Sequence, residues 1–127
     1  MKVTFHDFPD AELVATSALT AAGITASTQM PPIPTWPRIT VTRIGGTTNP
    51  IRAVDRARIQ IDGWGASKAD AHDIIAHALT ILWALPGTSA LAEVLSVDPD
   101  LGLAYLPDDS VTPTRPRYVA GVVITLR

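Results

Sequence analysis

The sequence predicts an α+β domain, a mostly antiparallel sheet with two helices packed on one face. Three observations predict it. The stretch Asp55 to Leu85 reads as strand, glycine turn and long amphipathic helix. The C-terminal Arg117 to Leu126 alternates cleanly, with Tyr118, Ala120, Val122, Ile124 and Leu126 on one face. An alanine-rich segment from Ala11 to Ala22 supplies a second helix ahead of the strands.

Each element has its own local reason. Asp7-Phe8-Pro9-Asp10 opens the first helix, with proline expected at the first helical position and Asp10 and Glu12 suiting its positive end. Leu13, Val14, Ala18 and Ala21 are its expected apolar side, and Gly23 its stop. That side is thin, so the helix is expected to cover a sheet. Ile24 to Gln29 reads as a short strand. MPPIPTWP (30–37) carries four prolines and reads as a rigid extended loop, because proline cannot donate to a ladder.

Arg38 to Ile44 is a β-branched strand. Gly45 to Pro50, GGTTNP, then reads as a projecting turn or mobile loop before the strand that starts near Arg56. In that next strand Ala57, Ile59, Ile61 and Gly63 alternate with Arg58, Gln60, Asp62 and Trp64. Gly63 and Gly65 flank Trp64 and permit a sharp turn. Ser67 is the expected N-cap, with Asp70 three residues on. Ala71, Ile74, Ile75, Ala78, Leu79, Leu82 and Leu85 then recur at helical steps, and Leu79 and Leu82 are expected to be buried. Pro86-Gly87 ends the run. Ala90 to Val97 and Leu101 to Leu106 are two strand candidates around an Asp98-Pro99-Asp100 turn, although Ala90 to Leu95 also suits a helical turn. Asp108 to Pro116 is a polar loop.

Composition bounds the class. With 127 residues, 46% apolar and 17% charged, the chain reads as one globular domain, 1–127. A net charge of −2 advertises neither nucleic acid nor an anionic membrane. There is no cysteine, hence no disulfide and no thiolate chemistry, which fits a cytoplasmic product. The N-terminus lacks a signal-peptide pattern, and no apolar run approaches the roughly 20 residues of a spanning helix. A soluble protein is expected.

No catalytic constellation stands out. Asp70, His72, Asp73 and His77 are the densest group of ligating types, but their spacing is not that of a helical zinc site. Asp73 and His77 read as a surface i,i+4 pair. Gly45-Gly46-Thr47-Thr48 has no following lysine or helix to make a phosphate loop. Neither an enzyme nor a cofactor is expected. Charge is unevenly spread, however. Arg38, Arg43, Arg52, Arg56, Arg58 and Lys68 face only Asp55 and Asp62 between positions 38 and 68, while Glu93, Asp98, Asp100, Asp108 and Asp109 lie together without a base. Solvated faces explain this, and so does a surface of one sign meeting its opposite on a neighbouring copy.

Val54-Asp55-Arg56-Ala57-Arg58-Ile59-Gln60-Ile61-Asp62-Gly63-Trp64-Gly65 with Ala66-Ser67-Lys68-Ala69-Asp70-Ala71 resembles the tail terminator proteins of long-tailed phages, especially those infecting actinobacteria. Leu106-Pro107-Asp108, a short loop, then Pro116-Arg117-Tyr118-Val119 and an alternating last strand is similar to the same group. The order of elements agrees over nearly the whole chain, and Thr25 to Pro37 departs from it. The resemblance implies a virion subunit that assembles in the host cytoplasm as a ring, a hexamer, on the tail tube protein. Such a ring ends tube polymerisation, offers the surface for the head–neck connector protein, and lets the genome DNA pass without specific binding.

On that reading Arg52, Arg56 and Arg58 are expected to meet Asp98, Asp100 and Asp108 of the next subunit. Gly45, Gly46, Thr47, Thr48 and Asn49 are the expected contact loop for tube or neck. Another head–tail joining or tail-completion protein, and a small ligand-binding domain using His72 and His77, remain alternatives.

Overall fold

A computed structural model describes residues 8–49, 51, 53–110 and 114–127. The elements are α1 (Ala11–Ala21), β1 (Ala26–Ser27), β2 (Arg38–Asn49), β3 (Val54–Trp64), α2 (Lys68–Trp83), β4 (Val94–Tyr105) and β5 (Arg117–Leu126). They form one sheet in the order β1-β2-β3-β5-β4, in which only the short β1–β2 pair is parallel. The α+β architecture with both helices on one face is as the alternation predicts.

The sheet's inner face is built by every second residue. Ile39 and Val41 of β2 lie opposite Gly63 and Ile61 of β3, and Ile61, Ile59 and Ala57 lie opposite Ala120, Val122 and Ile124 of β5. These side chains are fully buried against Val14, Ala15 and Leu19 of α1 and Ile75, Ala78 and Leu82 of α2. The clean alternation exists because β3 and β5 are central strands with one covered face. In α2, the Ser67 hydroxyl accepts the Asp70 N–H at 3.1 Å, a cap that stabilises by about 1 kcal/mol. Its core stripe is narrower than the periodicity suggests. Leu82 is fully buried, whereas Leu79 is half-buried at the margin.

Five sequence expectations are corrected. In α1 the N-cap is Asp10, whose Oδ1 accepts the Glu12 and Leu13 N–H groups, so Pro9 stands just outside the helix. Ala11, Val14, Ala15 and Leu19 face the core, while Leu13 is 53% exposed and Ala21 is exposed. An alanine-rich helix has no dominant stripe, and packing on Ile24 and Ile39 selects the face.

Gly45 to Asn49 is not a loop. It continues β2, paired residue by residue with Arg58 to Val54 after a bulge at Ile44. All five residues are exposed, so the strand is held by backbone pairing and by hydrogen bonds of the Thr48 hydroxyl to Asp55 and of Arg43 to the Gly45 carbonyl. Gly46 sits at φ +108°, where a Cβ would run into the Arg56 carbonyl, so only glycine lets the strand re-enter register there. Pro50 lies outside the described residues.

Asp98-Pro99-Asp100 is likewise no turn. It lies within one twelve-residue strand, β4, whose register shifts between Val94 and Ser96, Pro99 and Leu101, and Leu101 and Ala104. Proline is compatible with an outer strand because its missing N–H can face away from the ladder. Finally, the Asp73 carboxylate approaches His72 Nδ1 at 3.3 Å rather than forming the expected pair with His77.

Candidate functional site

Among the described residues the outer face of the sheet carries no helix, and most of the charged residues expected to mediate contacts are found on it. Arg56 and Arg58 of β3 alternate with the buried Ala57 and Ile59 and so point outward, opposite Thr125 and Val123 of β5. Ser96, Asp98 and Leu101 of β4 pair with Thr125, Val123 and Gly121 and share that face.

The expected poles of opposite charge therefore lie side by side on one chain. Arg58 Nε donates to Asp100 Oδ2 at 3.0 Å, with the side chains 50% and 25% exposed. Gly121 on the intervening β5 leaves the space, since a Cβ there would lie 3.1 Å from Leu101 Cβ and 3.6 Å from the Asp100 carboxylate. A half-exposed pair of this kind is worth about 0–1 kcal/mol. The pair closes within one chain, whereas the sequence reading expects Arg58 and Asp100 to meet across copies. The two regions look separate in sequence because β5 enters between β3 and β4 from the far end of the chain. Arg56 is exposed on the same face, as is Asp98, whose Oδ2 accepts from Ser96 at 3.2 Å. Asp108 lies beyond the sheet, bridged through its backbone to Arg115. Its carboxylate is held below the usual range by hydrogen bonds from the Ser110 hydroxyl and N–H. Arg52 lies outside the described residues.

At the opposite end of this face is a cluster that sequence reasoning missed. Trp36, from the proline-rich loop, lies on Trp64 with ring centroids 6.0 Å apart. Arg115 covers Trp36 at 4.6 Å, and Arg117 covers Trp64 at 5.2 Å. The Trp64 indole N–H donates to Thr40 Oγ1 at 3.1 Å, and Thr40 in turn donates to Asp62 Oδ2 at 3.4 Å. Burial pushes the Asp62 carboxyl up, against the hydrogen bond from Gln60. The glycines flanking Trp64 point to a turn in the sequence, and nothing in the spacing links it to Trp36.

Chemistry is thinly represented. Among the described residues no group of three or more His, Asp or Glu is arranged to hold a metal ion. His72 is exposed and packs edge-on against Tyr118 at 5.4 Å, where Tyr105 and Lys68 complete an aromatic cluster. A groove of about 570 Å³ between α1 and α2, lined by Val14, Ala18, Ala21, Ile81, Leu85 and Leu91 among others, contains no titratable side chain. No described helix is long and apolar enough to cross a membrane.

The sheet's two outer strands are more distinctive. β1 pairs with β2 only at Ile39 and Thr40, so among the described residues no strand lies beside the rest of β2 on that side or beside the outer side of β4, where the Val94 carbonyl accepts from the Gly87 N–H at 3.2 Å. Both strands expose large aliphatic side chains, Ile44 at 47% on β2 and Leu95, Leu101 and Leu103 at 42–51% on β4. No family model matches the chain, and no curated protein matches it either.

Proposed function

We propose that this chain is a structural virion subunit that self-assembles into a ring capping a phage tail tube, ending tube growth and presenting the head-joining surface. The observation that carries the reading is the sheet's lopsided cladding. Two helices cover one face, while among the described residues the other face carries no helix and both outer strands expose aliphatic residues, which is the pattern of a surface that meets other chains. The resemblance of the stretches 54–71 and 106–119 to tail terminators supplies the kind of assembly, and the α+β architecture agrees with it. The partners on this reading are further copies of the chain, the tail tube protein and the neck connector. Genome DNA crosses the lumen without specific contacts.

Light scattering and negative-stain imaging of the purified protein, alone and mixed with isolated tail tubes, test it. A discrete ring, free or on one tube end, is the expected result. A protein that stays monomeric in both settings overturns the proposal. Rings that form but attach to the portal side in preference to tubes would reassign the chain to another neck position.

A further inference from the structure

Both outer strands offer unpaired backbone, and their directions are complementary. From β2 through β3 and β5 to β4 each strand is antiparallel to the next. With four strands in alternation, β2 and β4 run in opposite senses. A neighbour turned about an axis parallel to the strands keeps its strand directions, so its β2 arrives antiparallel to the first copy's β4. Antiparallel is the pairing the sheet already uses, and it continues the sheet without a reversal.

The hydrogen-bonding groups follow the same logic. On β2, Ile39 donates its N–H away from β3 to the Thr25 carbonyl at 2.9 Å. Arg43 donates outward to the Glu12 carboxylate at 3.1 Å. The first part of the edge is thus guarded by β1 and by the start of α1. Beyond the Ile44 bulge the alternation resumes, directing the N–H and C=O groups of Gly46 and Thr48 outward, where no other described strand lies. On β4, Glu93 and Arg127 exchange both backbone bonds at 3.0 Å, which, with Leu95 bulged out, turns Val97 and Pro99 outward. The Pro99 position has no N–H to lose there.

Past its bulge at Ile44, β2 carries none of the charged residues or prolines that usually blunt an edge. Arg43 is neutralised by Asp55, there is no proline from Arg38 to Asn49, and the chain's only lysines are Lys2 and Lys68. We propose, resting on the ring reading, that neighbouring copies join by strand addition, the outer edge of β4 pairing antiparallel with the Gly45–Thr48 part of β2 in the next copy. Ile44 and the exposed leucines of β4 flank that seam and become buried by it. Charge pairing between copies is not required.

Thr48→Pro and Thr48→Ala separate the edge from the side chain. Both lose the hydroxyl that bonds Asp55 at 2.8 Å, but only proline removes the outward N–H. The expected result is that Thr48→Ala assembles at the concentration of the wild type, while Thr48→Pro, folded by circular dichroism, needs at least about tenfold more protein, a loss of about 1.4 kcal/mol. A Thr48→Pro protein that assembles like Thr48→Ala overturns the seam and leaves the ring reading standing. A wild type monomeric even with tubes removes the ring reading itself.

Should Thr48→Pro fail to fold, cross-linking decides, because the chain has no native cysteine. Thr47→Cys mixed with Asp98→Cys and a short bis-maleimide should give a mixed dimer, and neither variant alone should give one. Self-linking of Thr47→Cys would mean β2 pairs with β2, and absence of the mixed product from assembled protein would equally overturn the proposal.

Discussion

Arg43 and Asp55 form a two-pronged ion pair across the β2–β3 hairpin, Nη1 to Oδ2 at 2.6 Å and Nη2 to Oδ1 at 2.7 Å. The Asp55 side chain is 2% exposed and that of Arg43 31%. Thr48 adds a third bond to the carboxylate. This network fastens the polar, otherwise unburied half of the hairpin to the end of the core, where Asp55 lies opposite Leu126.

The Arg43 guanidinium, more than offsetting burial, holds the Asp55 carboxyl below its ordinary value. A carboxylate lowered in the folded state contributes stability above its unfolded pKa of about 3.9, and loses it as pH falls through the folded value. Asp55→Asn should therefore cost about 1–3 kcal/mol at pH 7, and the gap from wild type should narrow as pH falls below about 4. Urea melts at several pH values check both the size and the trend. A pH-independent gap would mean that packing, not charge, is what Asp55 supplies.

Asp62 should behave in the opposite sense. Burial raises its folded pKa, so the native state holds that proton to higher pH than the unfolded chain does. Stability then falls as pH rises from about 4 through the folded value. Asp62→Asn removes the buried charge and keeps one oxygen, which can accept from Thr40 or from Gln60 but not from both, because they reach different carboxylate oxygens. Its melting temperature should exceed that of wild type at pH 7, and the two should converge near pH 3. A variant less stable at neutral pH would show that the carboxylate is needed beside Arg117.

Two leucines on α2 should separate sharply. Leu82 is fully buried, and Leu82→Ala should cost about 2–5 kcal/mol. Leu79 sits at the margin of the core, so Leu79→Ala should cost less than half as much. Denaturant midpoints of the two variants measure this directly. Equal losses would place Leu79 deeper than its half-buried position indicates.

Residues by themselves determined the elements that bury one face. β5 begins and ends where its alternation does, at Arg117 and Leu126, and α2 starts after its Ser67 cap. A buried face imposes a period on the chain, and that period is readable in one dimension. Gly45 to Asn49 and Asp98 to Asp100 left no such trace. Their strand conformation is held by backbone bonds to a neighbouring strand and by no buried side chain, so glycine, threonine, aspartate and proline there read as turn.

Tertiary structure alone decided what lies beside what. The insertion of β5 between β3 and β4 brings Arg58 to Asp100, residues 42 apart, so that the two pair within one chain. It also sets Trp36 on Trp64, and leaves β2 and β4 as the outer strands with opposite senses. Strand order is chosen by how the whole apolar face closes under two helices. That is a property of the assembled sheet, and no single stretch of sequence carries it.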